Sequence, residues 1–441
     1  MSTRTPEGNV MVVENKQVDL LVVGGGAAGL SAALTAERRG LSCQVLEAQE
    51  RLGGRLWSIR SDADAMWVDL GGQLVNGDMS RVLRIARDAG LHLAPVAGTG
   101  AVKTVLADDR VYRDLARNSE GWMDMLLTPE LVARAQAATS APTLSEVLDW
   151  LNLDQQEAQL IRSTICEMFG HPAEALDGLG AILETQTFRS QRSDIEFQFR
   201  RGFSGIIEQL ASSLRQAPLL QTPVHAISRH GERIIARTDA GEWSAAHLVI
   251  AVPPPVVRHI QLDLDDVDSH LTAALDSFVG GELIKFILTF DTPFWRYTGL
   301  SGQVEYLEPA GLNLVDGSLD DGSHPRLVAF LGGPLARQWA GQSAGWRRQA
   351  LLDLMAKAFG EQVYQVRSVH EGNWVDHRWC AGAYNSHIRA GGMSDACEYL
   401  ASWGKGIAFA GAEYAASYRG FVEGALDSGE KAVLRLLDAA G

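Results

Sequence analysis

The sequence predicts an α/β fold in which two domains are interleaved along the chain. Three observations support this: a strand–turn–helix–strand pattern near the N-terminus, a long helix-rich stretch after it, and the return of strand patterns in the second half. A chain of 441 residues also exceeds the usual size of a single hydrophobic core, which favours two domains.

Composition narrows the functional classes. The formal net charge of −15 argues against nucleic acid or an anionic membrane as a partner. No stretch approaches the roughly 18 uninterrupted apolar residues of a membrane span, and residues 1–17 are predicted to be a flexible tail without the core of a signal peptide. We therefore expect a soluble, cytoplasmic enzyme, with a homodimer as an open option. The cysteines are too widely spaced for a disulfide framework or a zinc site, so no metal is expected: Cys43, Cys166, Cys380 and Cys397.

The first unit of the chain is a β-α-β pattern. An apolar strand over Leu20–Val23 runs into glycines at positions 24, 26 and 29, and a helix over Leu30–Arg39 follows and ends at Gly40. A second strand over Gln44–Leu46 completes the unit. The spacing G-x-G-x-x-G between strand and helix is typical of a Rossmann-like dinucleotide-binding domain.

Each part of this motif has a physical role. Gly24 allows the tight turn, Gly26 lets the backbone approach a pyrophosphate, and Gly29 lets the helix pack on the strand. The amino end of the helix, at Ala28, offers N–H groups and partial positive charge to the phosphates. Glu47 follows the second strand, 23 positions after the first glycine, and is expected to accept hydrogen bonds from ribose hydroxyls.

The next stretch is predicted to leave the dinucleotide-binding domain. A short strand over Met66–Val68 precedes the turn that contains Gly71, Gly72 and Gln73, and a helix is expected over Ser80–Ala89. From His92 to Arg200 helical patterns dominate, for example over Leu144–Leu151 and Gln155–Phe169. This region is expected to be an inserted helical domain.

Strand patterns return after Gly202. We expect a helix over Gly205–Leu214, a strand over Pro223–Ser228, and a hairpin whose turn is Asp239-Ala240-Gly241. An apolar strand begins at Leu283, and a terminal helix begins near Phe421. The dinucleotide-binding domain is accordingly predicted to comprise 18–80, 201–275 and 378–441, and the second, substrate-binding domain 81–200 and 276–377.

Four segments together resemble the flavin monoamine oxidase family, in particular the branch of bacterial amine oxidases and 6-hydroxynicotine oxidase. They are LEAQERLGGR, DLGGQ, LIKFILTFDTPFWR and FAGAEYAASYRGFVEGALDSGEKA, and the resemblance runs from Val18 to Leu437. It implies FAD, an amine oxidase (GR2-type) architecture with an α+β substrate domain, and oxidation of an amine to an imine. Hydride would pass to flavin N5, O2 would be reduced to H2O2, and water would hydrolyse the imine.

The resemblance also implies cofactor contacts. Arg51 and Arg55 can supply positive charge to the pyrophosphate, and Gly54 permits close backbone approach. Glu413 resembles the acid that faces the FAD linker. Ala383 stands where covalently flavinylated members carry a cysteine, so the FAD is expected to be non-covalent. Further expected cofactor positions are Gly71, Gly72, Gln73, Val224, Gly411, Phe421 and Val422.

Lys285 is the clearest catalytic candidate, because a charged amine inside an apolar strand is costly unless it is needed. In the family pattern a lysine here holds a water near flavin N5 and assists O2 reduction or imine hydrolysis. Tyr384 and Phe421 match the two aromatic positions that sandwich the substrate amine. Glu167 is a substrate-contact candidate, with a solvated helix acid as the equal alternative, and Trp374 could line the cavity or serve only packing.

The substrate is expected to be a small primary or secondary amine, including cyclic, nicotine-like ones. An L-amino-acid oxidase is the nearest alternative, but it would need an arginine near DLGGQLVNGD to hold the carboxylate, where Arg81 is the nearest. A related FAD-dependent desaturase or dehydrogenase with another electron acceptor is a further alternative. A flavin-dependent isomerase and a regulatory flavoprotein are less favoured. The sequence does not decide between O2 and a carrier protein.

Overall fold

The computed structural model describes residues 16–62, 65–96, 99–106, 110–113, 121–188, 190, 192–193, 195–264, 267–319 and 321–439. The predicted N-terminal tail lies outside these ranges for residues 1–15. Lys16 and Gln17 already belong to the first strand, so the predicted boundary of the tail at residue 17 is wrong. They pair with Trp243 and Ser244 of a neighbouring strand.

The strands are short, and most belong to two large sheets. In chain order they are β1 (Lys16–Val23), β2 (Cys43–Leu46), β3 (Ser58–Arg60), β4 (Trp67–Asp69), β5 (Leu74–Val75), β6 (Leu93–Pro95), β7 (Ala101–Val105), β8 (Val111–Arg113), β9 (Phe197–Phe199), β10 (Val224–His230), β11 (Arg233–Thr238), β12 (Gly241–Ile250), β13 (Gln261–Asp263), β14 (Phe278–Gly280), β15 (Leu283–Thr289), β16 (Leu300–Tyr306), β17 (Leu312–Asp316), β18 (Arg326–Gly332), β19 (Ser368–Asn373), β20 (Ser386–Ile388) and β21 (Ile407–Phe409).

The helices cover the faces of these sheets and build the inserted region. In chain order they are α1 (Ala27–Arg38), α2 (Ser80–Asp88), α3 (Trp122–Leu126), α4 (Pro129–Gln136), α5 (Leu144–Asp149), α6 (Gln155–Phe169), α7 (Gly178–Thr185), α8 (Ser204–Ser212), α9 (Pro254–Val257), α10 (Ser269–Asp276), α11 (Phe294–Tyr297), α12 (Gly333–Ala340), α13 (Ala344–Phe359), α14 (Ala396–Ser402) and α15 (Val422–Asp438). None of those in the described ranges combines the length and apolarity that crossing a bilayer requires.

The first large sheet has the order β13-β10-β11-β12-β1-β2, with β21 also paired to β12. Strand β1 lies parallel to both β12 and β2, and residues 20–23 are buried on both faces. A continuous apolar run is what a parallel strand covered on both sides requires. Helices α1 and α15 pack together on one face, so the two ends of the chain meet at this sheet.

The second large sheet has the order β19-β15-β18-β17-β16-β7-β8 and is mainly antiparallel. All seven residues of β15 and of β18 are buried. One face packs against the apolar residues of α12 and α13, which form a separate core cluster. The other face is turned toward the cavity described below.

The expected α/β fold, the β-α-β unit and helix α6 are confirmed. The expectation of an inserted helical domain from His92 to Arg200 holds only in part. Helices dominate the described residues of this stretch, but residues 101–105 and 111–113 form strands that extend the second sheet. The helical part of the insertion lies within residues 122–185. The predicted domain boundaries stay predictions; α2, just beyond the boundary at residue 80, packs in the same core cluster as α1 and α15.

Candidate active site

One large cavity joins the carboxyl end of β1 to the inner face of the second sheet. Its volume is about 1710 Å³, and residues of both sheets and of the helical insertion line it. The glycine turn, Lys285 and Tyr384 therefore border one continuous space. Ligand sites of open α/β sheets lie at the carboxyl ends of the strands, as this cavity does.

The glycine turn is shaped by close backbone packing on one side and open space on the other. Gly24 has φ +108°, and a Cβ on Gly29 would lie 1.9 Å from the Gly24 carbonyl oxygen. A Cβ on Gly26, in contrast, would meet nothing nearer than the Gly53 oxygen at 4.0 Å. Gly24 and Gly29 thus serve packing, whereas Gly26 leaves room for a ligand to approach the backbone.

The amino end of α1 opens into this space. Its N-cap is Gly26, and no side chain caps the first N–H groups. Ala27 and Ala28 both line the cavity. The uncapped N–H groups and the partial positive charge of the helix end fit a pyrophosphate.

Glu47 lies beside the turn and is 5% exposed. Its two carboxylate oxygens accept the N–H groups of Gly25 and Gln49 at 2.7 and 2.8 Å. Burial raises the pKa of the Glu47 carboxyl, against the opposing effect of these hydrogen bonds. The carboxylate has remaining acceptor capacity on the cavity side, as the ribose hydroxyls of a dinucleotide require.

Arg55 and Glu413 form an ion pair between the N-terminal and C-terminal motifs. Two guanidinium nitrogens of Arg55 lie 2.7 and 3.0 Å from the two oxygens of Glu413. Burial alone would raise the pKa of the Glu413 carboxyl, but the Arg55 charge and the hydrogen bonds outweigh it, so the pKa lies below its ordinary value. Both residues line the cavity, with Arg55 still partly exposed.

The contacts of Arg51 in the structure are with the loop that contains Gly54. Its guanidinium donates to the backbone oxygens of Leu52, Gly54 and Leu56 and lies 4.9 Å from the Trp57 ring centroid. Among the described residues, those that line the cavity include Arg55 but not Arg51. The contacts of Arg51 hold the loop that carries Gly54, and its phosphate contact stays a prediction.

Lys285 is 1% exposed, on the cavity face of β15. Its ammonium donates to the Gly71 carbonyl oxygen at 2.9 Å and to the Gln73 side-chain oxygen at 2.8 Å. Burial lowers the pKa of Lys285 to about 8, opposed by the Asp69 carboxylate. An ammonium has three donors and these bonds use two of them, so the third is available to a water or a ligand. The centroid of the Phe330 ring, which also lines the cavity, lies 5.5 Å from Nζ.

The expected substrate residues also meet at the cavity. Tyr384 donates its hydroxyl to Glu167 Oε1 at 2.8 Å, and its ring packs edge-on against Phe330. Glu167 is 7% exposed near the end of α6, so it is not a solvated helix acid. Trp374 is 1% exposed and donates its indole N–H to the Leu70 carbonyl oxygen. Phe421, the N-cap of α15, packs on Phe188 and lines the same space.

Most of the expected cofactor residues border the cavity. They are Gly24, Gly26, Ala28, Glu47, Gly54, Arg55, Gly71, Gly72, Gln73, Val224, Gly411, Glu413, Phe421 and Val422. Gly29 lies behind the turn, where its predicted packing role places it. The uncapped helix end, the open Gly26 and the buried Glu47 together fit the dinucleotide part of FAD.

Sequence reasoning missed the polar residues that continue the floor of the cavity. Lys285, Phe330, Asn313 and Glu305 are successive cross-strand partners on β15, β18, β17 and β16, so they share one face of the sheet. Neighbouring strands lie about 4.8 Å apart, so this row extends about 14 Å from Lys285. A polar residue in a strand whose alternate residues are apolar was the available signal.

Arg81, the arginine nearest the DLGGQLVNGD stretch, lies elsewhere. It forms ion pairs with Glu423, Asp427 and Glu430, all on α15. It is not among the residues that line the cavity. A carboxylate clamp at this position, as the amino-acid oxidase alternative would need, has no support from this placement.

Comparisons with known proteins identify the family to which this chain belongs. Residues 27–437 match the family of flavin containing amine oxidoreductases. The chain is 28% identical to amine oxidase [flavin-containing] B of Cavia porcellus over 459 residues, which covers 97% of this chain and 87% of that protein. The corresponding protein of Sus scrofa is also 28% identical, with the same coverage.

Solved structures show the same fold. The structure of cyclohexylamine oxidase from Brevibacterium oxydans IH-35A matches with a TM-score of 0.86 at 22% identity, covering 96% of this chain and 99% of that chain. Putrescine oxidase bound to putrescine matches with a TM-score of 0.85 at 22% identity, covering 96% and 100%.

Proposed function

The chain belongs to the family of flavin containing amine oxidoreductases, and from this membership we propose that it oxidises a small primary or secondary amine, cyclic amines included. The overall reaction would convert the amine, O2 and water into a carbonyl compound, the released amine or ammonia, and H2O2. The observation that carries this proposal is the single cavity in which the dinucleotide-binding turn and Lys285 meet. Cyclohexylamine and putrescine, named for two structural neighbours, are natural first test compounds.

FAD, the cofactor of the family, would supply a hydride acceptor when bound. Residues of this chain would hold its adenosine half and its pyrophosphate: Gly26 and the amino end of α1 the pyrophosphate, and Glu47 the ribose. Arg55 would add positive charge beside Glu413. We propose that the cofactor is held non-covalently, because Ala383 offers no thiol and burial raises the pKa of the Cys380 thiol to about 11, which leaves it unreactive.

The remaining residues would position the amine and manage its protons. Tyr384 and Phe421 present aromatic surface that excludes water and favours the neutral amine over the ammonium form. The hydrogen bond from Tyr384 to Glu167 would fix the tyrosine ring, and the Glu167 carboxylate would then lie beside the proposed substrate position. Lys285, with its pKa near 8, can hold or release a proton at Nζ near neutral pH, which suits O2 reduction or imine hydrolysis.

A panel of amines tests the proposal. Purified protein is mixed anaerobically with cyclohexylamine, putrescine, benzylamine, a nicotine-like cyclic amine and two L-amino acids, and the visible flavin absorbance is followed. We expect bleaching by at least one amine, and peroxide on admission of air. Bleaching by amino acids alone would favour the L-amino-acid oxidase. Bleaching by an amine without reoxidation in air would favour a dehydrogenase with another acceptor.

The cytoplasmic location and the homodimer also stay predictions. Cell fractionation and size-exclusion chromatography with light scattering would test them separately from the chemistry.

A further inference from the structure

Two glutamines continue the hydrogen bonds of Lys285 into the protein. Lys285 donates to Gln73 Oε1 at 2.8 Å, and Gln73 Nε2 donates to Gln198 Oε1 at 3.0 Å. Gln198 Nε2 in turn donates to the backbone oxygens of Gly317 and Ser318 at 3.3 and 3.0 Å. Gln198 lies in β9, is 6% exposed, and has no role in the function proposed above.

The orientation of both glutamine amides is fixed at the Gln198 end of this series of hydrogen bonds. Backbone carbonyl oxygens only accept hydrogen bonds, so the nitrogen of Gln198 must face Gly317 and Ser318. Its oxygen must then face Gln73, which can satisfy it only with its own nitrogen. Gln73 therefore presents its oxygen to Lys285, and a reversed amide would place N–H groups against the ammonium.

We propose that Gln198 is a positioning residue that fixes the amide of Gln73 and thereby keeps an oxygen acceptor on the Lys285 ammonium. An acceptor on the charged form favours protonation, so Gln198 would hold Lys285 protonated at pH values where burial alone would deprotonate it. The significance for catalysis depends on the proposed function of Lys285, but the effect on protonation does not.

The other charged or titratable groups near Lys285 are held by contacts of their own. Asp69, on β4, accepts the Ser58 hydroxyl and the Phe203 N–H. From the strands beside β15, Arg326 donates to the Trp67 carbonyl oxygen, and His370 bonds the Ser61 hydroxyl. None of these contacts passes through Gln198, so replacing it changes the Gln73 amide and leaves these charges in place.

The choice of substitution at Gln198 matters, because a small polar cavity lies beside the two glutamines. Its volume is about 20 Å³, and Asp69, Gln73 and Gln198 are among its lining residues. This is the size of one water molecule. Truncation to alanine would let water replace the lost amide, so leucine, which is close in volume, is the informative replacement.

The test measures the protonation of Lys285 through stability. The melting temperature of the FAD-loaded protein is recorded from pH 6 to 10 for wild type, Gln198→Leu and Gln73→Leu, each with and without Lys285→Met. The pH dependence that disappears with Lys285→Met gives the midpoint for Lys285. A second readout is the pH profile of air reoxidation after chemical reduction of the flavin, which needs no amine substrate. Gln261→Leu, an exposed strand glutamine, is the matched control.

We expect Gln198→Leu to move the Lys285 midpoint toward acid by about half a pH unit or more, since hydrogen bonds to charged groups are among the stronger ones. Gln73→Leu should move it at least as far, and Gln198→Leu should add nothing in that background. The control should leave the midpoint unchanged. Gln198→Met replaces Gln198→Leu if the latter does not accumulate.

An unchanged midpoint in a folded Gln198 variant would overturn the proposal, as would an equal further shift in the Gln73→Leu background. Failure of every amine to bleach the flavin would instead count against the proposed function and leave these shifts measurable.

Discussion

At the scale of single residues, burial of Lys285 is unfavourable for folding but places an amine at the cavity. A buried ammonium in an apolar strand is unfavourable, and the two acceptors on its Nζ reduce that cost without removing it. Burial lowers the pKa of Lys285 to about 8, opposed by the charge of the Asp69 carboxylate. The same placement brings the amine to the cavity, where one donor remains for a ligand.

Replacing Lys285 by methionine tests this use. Methionine keeps the length and the apolar stem, so the fold and the flavin content should be preserved. We expect turnover to fall by a factor of about 10² to 10⁴, chiefly in the oxidative half-reaction, because a positioned proton donor is lost. Stopped-flow measurement of flavin bleaching and of reoxidation separates the halves, and unchanged rates in both would remove the role of Lys285.

The unfavourable burial of the Lys285 ammonium should appear as a pH dependence of the free energy of unfolding. The pKa of Lys285 is about 8 when folded and 10.5 in its ordinary state, so between these values the unfolded chain binds more protons than the folded one. The free energy of unfolding of wild type, relative to Lys285→Met, should therefore rise by ~3 kcal/mol between pH 8 and 10.5. Urea unfolding of both proteins across this range measures it, and parallel pH curves would contradict the folded-state pKa.

At the scale of elements, the glycines of the turn before α1 have different roles. A Cβ at Gly29 would overlap the Gly24 carbonyl, whereas a Cβ at Gly26 would enter only the cavity. Gly26 has φ −80°, which alanine adopts without strain. The turn can therefore be altered on its ligand side without disturbing its packing side.

We expect Gly26→Ala to leave the melting temperature of the flavin-free protein close to wild type but to weaken FAD binding by a factor of at least ten. Gly29→Ala should destabilise the fold itself by about 3 kcal/mol, because its Cβ meets backbone that cannot move aside. Flavin titration and thermal melts measure the two effects. Gly345→Ala in α13, with no atom within 4 Å of the added Cβ, is the control. Equal melting temperatures for the two turn variants would show that this division is wrong.

A glutamate side chain of α15 stabilises the amino end of helix α2. The Glu423 carboxylate, 4% exposed on α15, accepts the N–H groups of Arg81 and Val82 at the amino end of α2. A carboxylate at a helix amino end satisfies donors that the helix cannot pair and complements its dipole.

Glu423→Ala should lower the free energy of unfolding by about 2 kcal/mol, since it leaves these buried N–H groups without the carboxylate. Glu430→Ala removes an exposed acid beside the same arginine and should cost less than about 0.5 kcal/mol. Urea denaturation measures both, and similar losses would mean that the contribution of Glu423 is a surface ion pair.

The elements that could be predicted from the sequence are those with local signals. Helix α6 has an aspartate N-cap, apolar periodicity and a glycine at its end, and its predicted bounds, Gln155–Phe169, are correct. Strands β7 and β8 were missed, because β7 is stabilised by pairing with β16, some 200 residues further along the chain. Gln198 was missed for the same reason, since its partners Gln73 and Ser318 lie in distant segments.

At the scale of the whole molecule, the cavity depends on the two ends of the chain meeting. Arg55 and Glu413 join them 358 positions apart, and Glu413 is fully buried. A buried ion pair is weak evidence for stability, because taking both charges out of water opposes their attraction. Its position beside the cavity suggests a different benefit, a fixed positive charge next to the expected cofactor.

Single and paired substitutions separate these two contributions. Glu413→Gln leaves the largely buried Arg55 guanidinium without its counter-charge and should lower the free energy of unfolding by about 3 kcal/mol. Arg55→Met combined with Glu413→Leu removes both charges, so it should recover most of that loss while FAD affinity stays reduced. Because the folded pKa of Glu413 lies below its ordinary value, the stabilisation by the wild-type pair should be present at neutral pH and fade as the pH falls below about 4.5. Urea unfolding and flavin titration of the three proteins measure both quantities. Full recovery of FAD binding in the double variant would mean that the pair serves the fold alone.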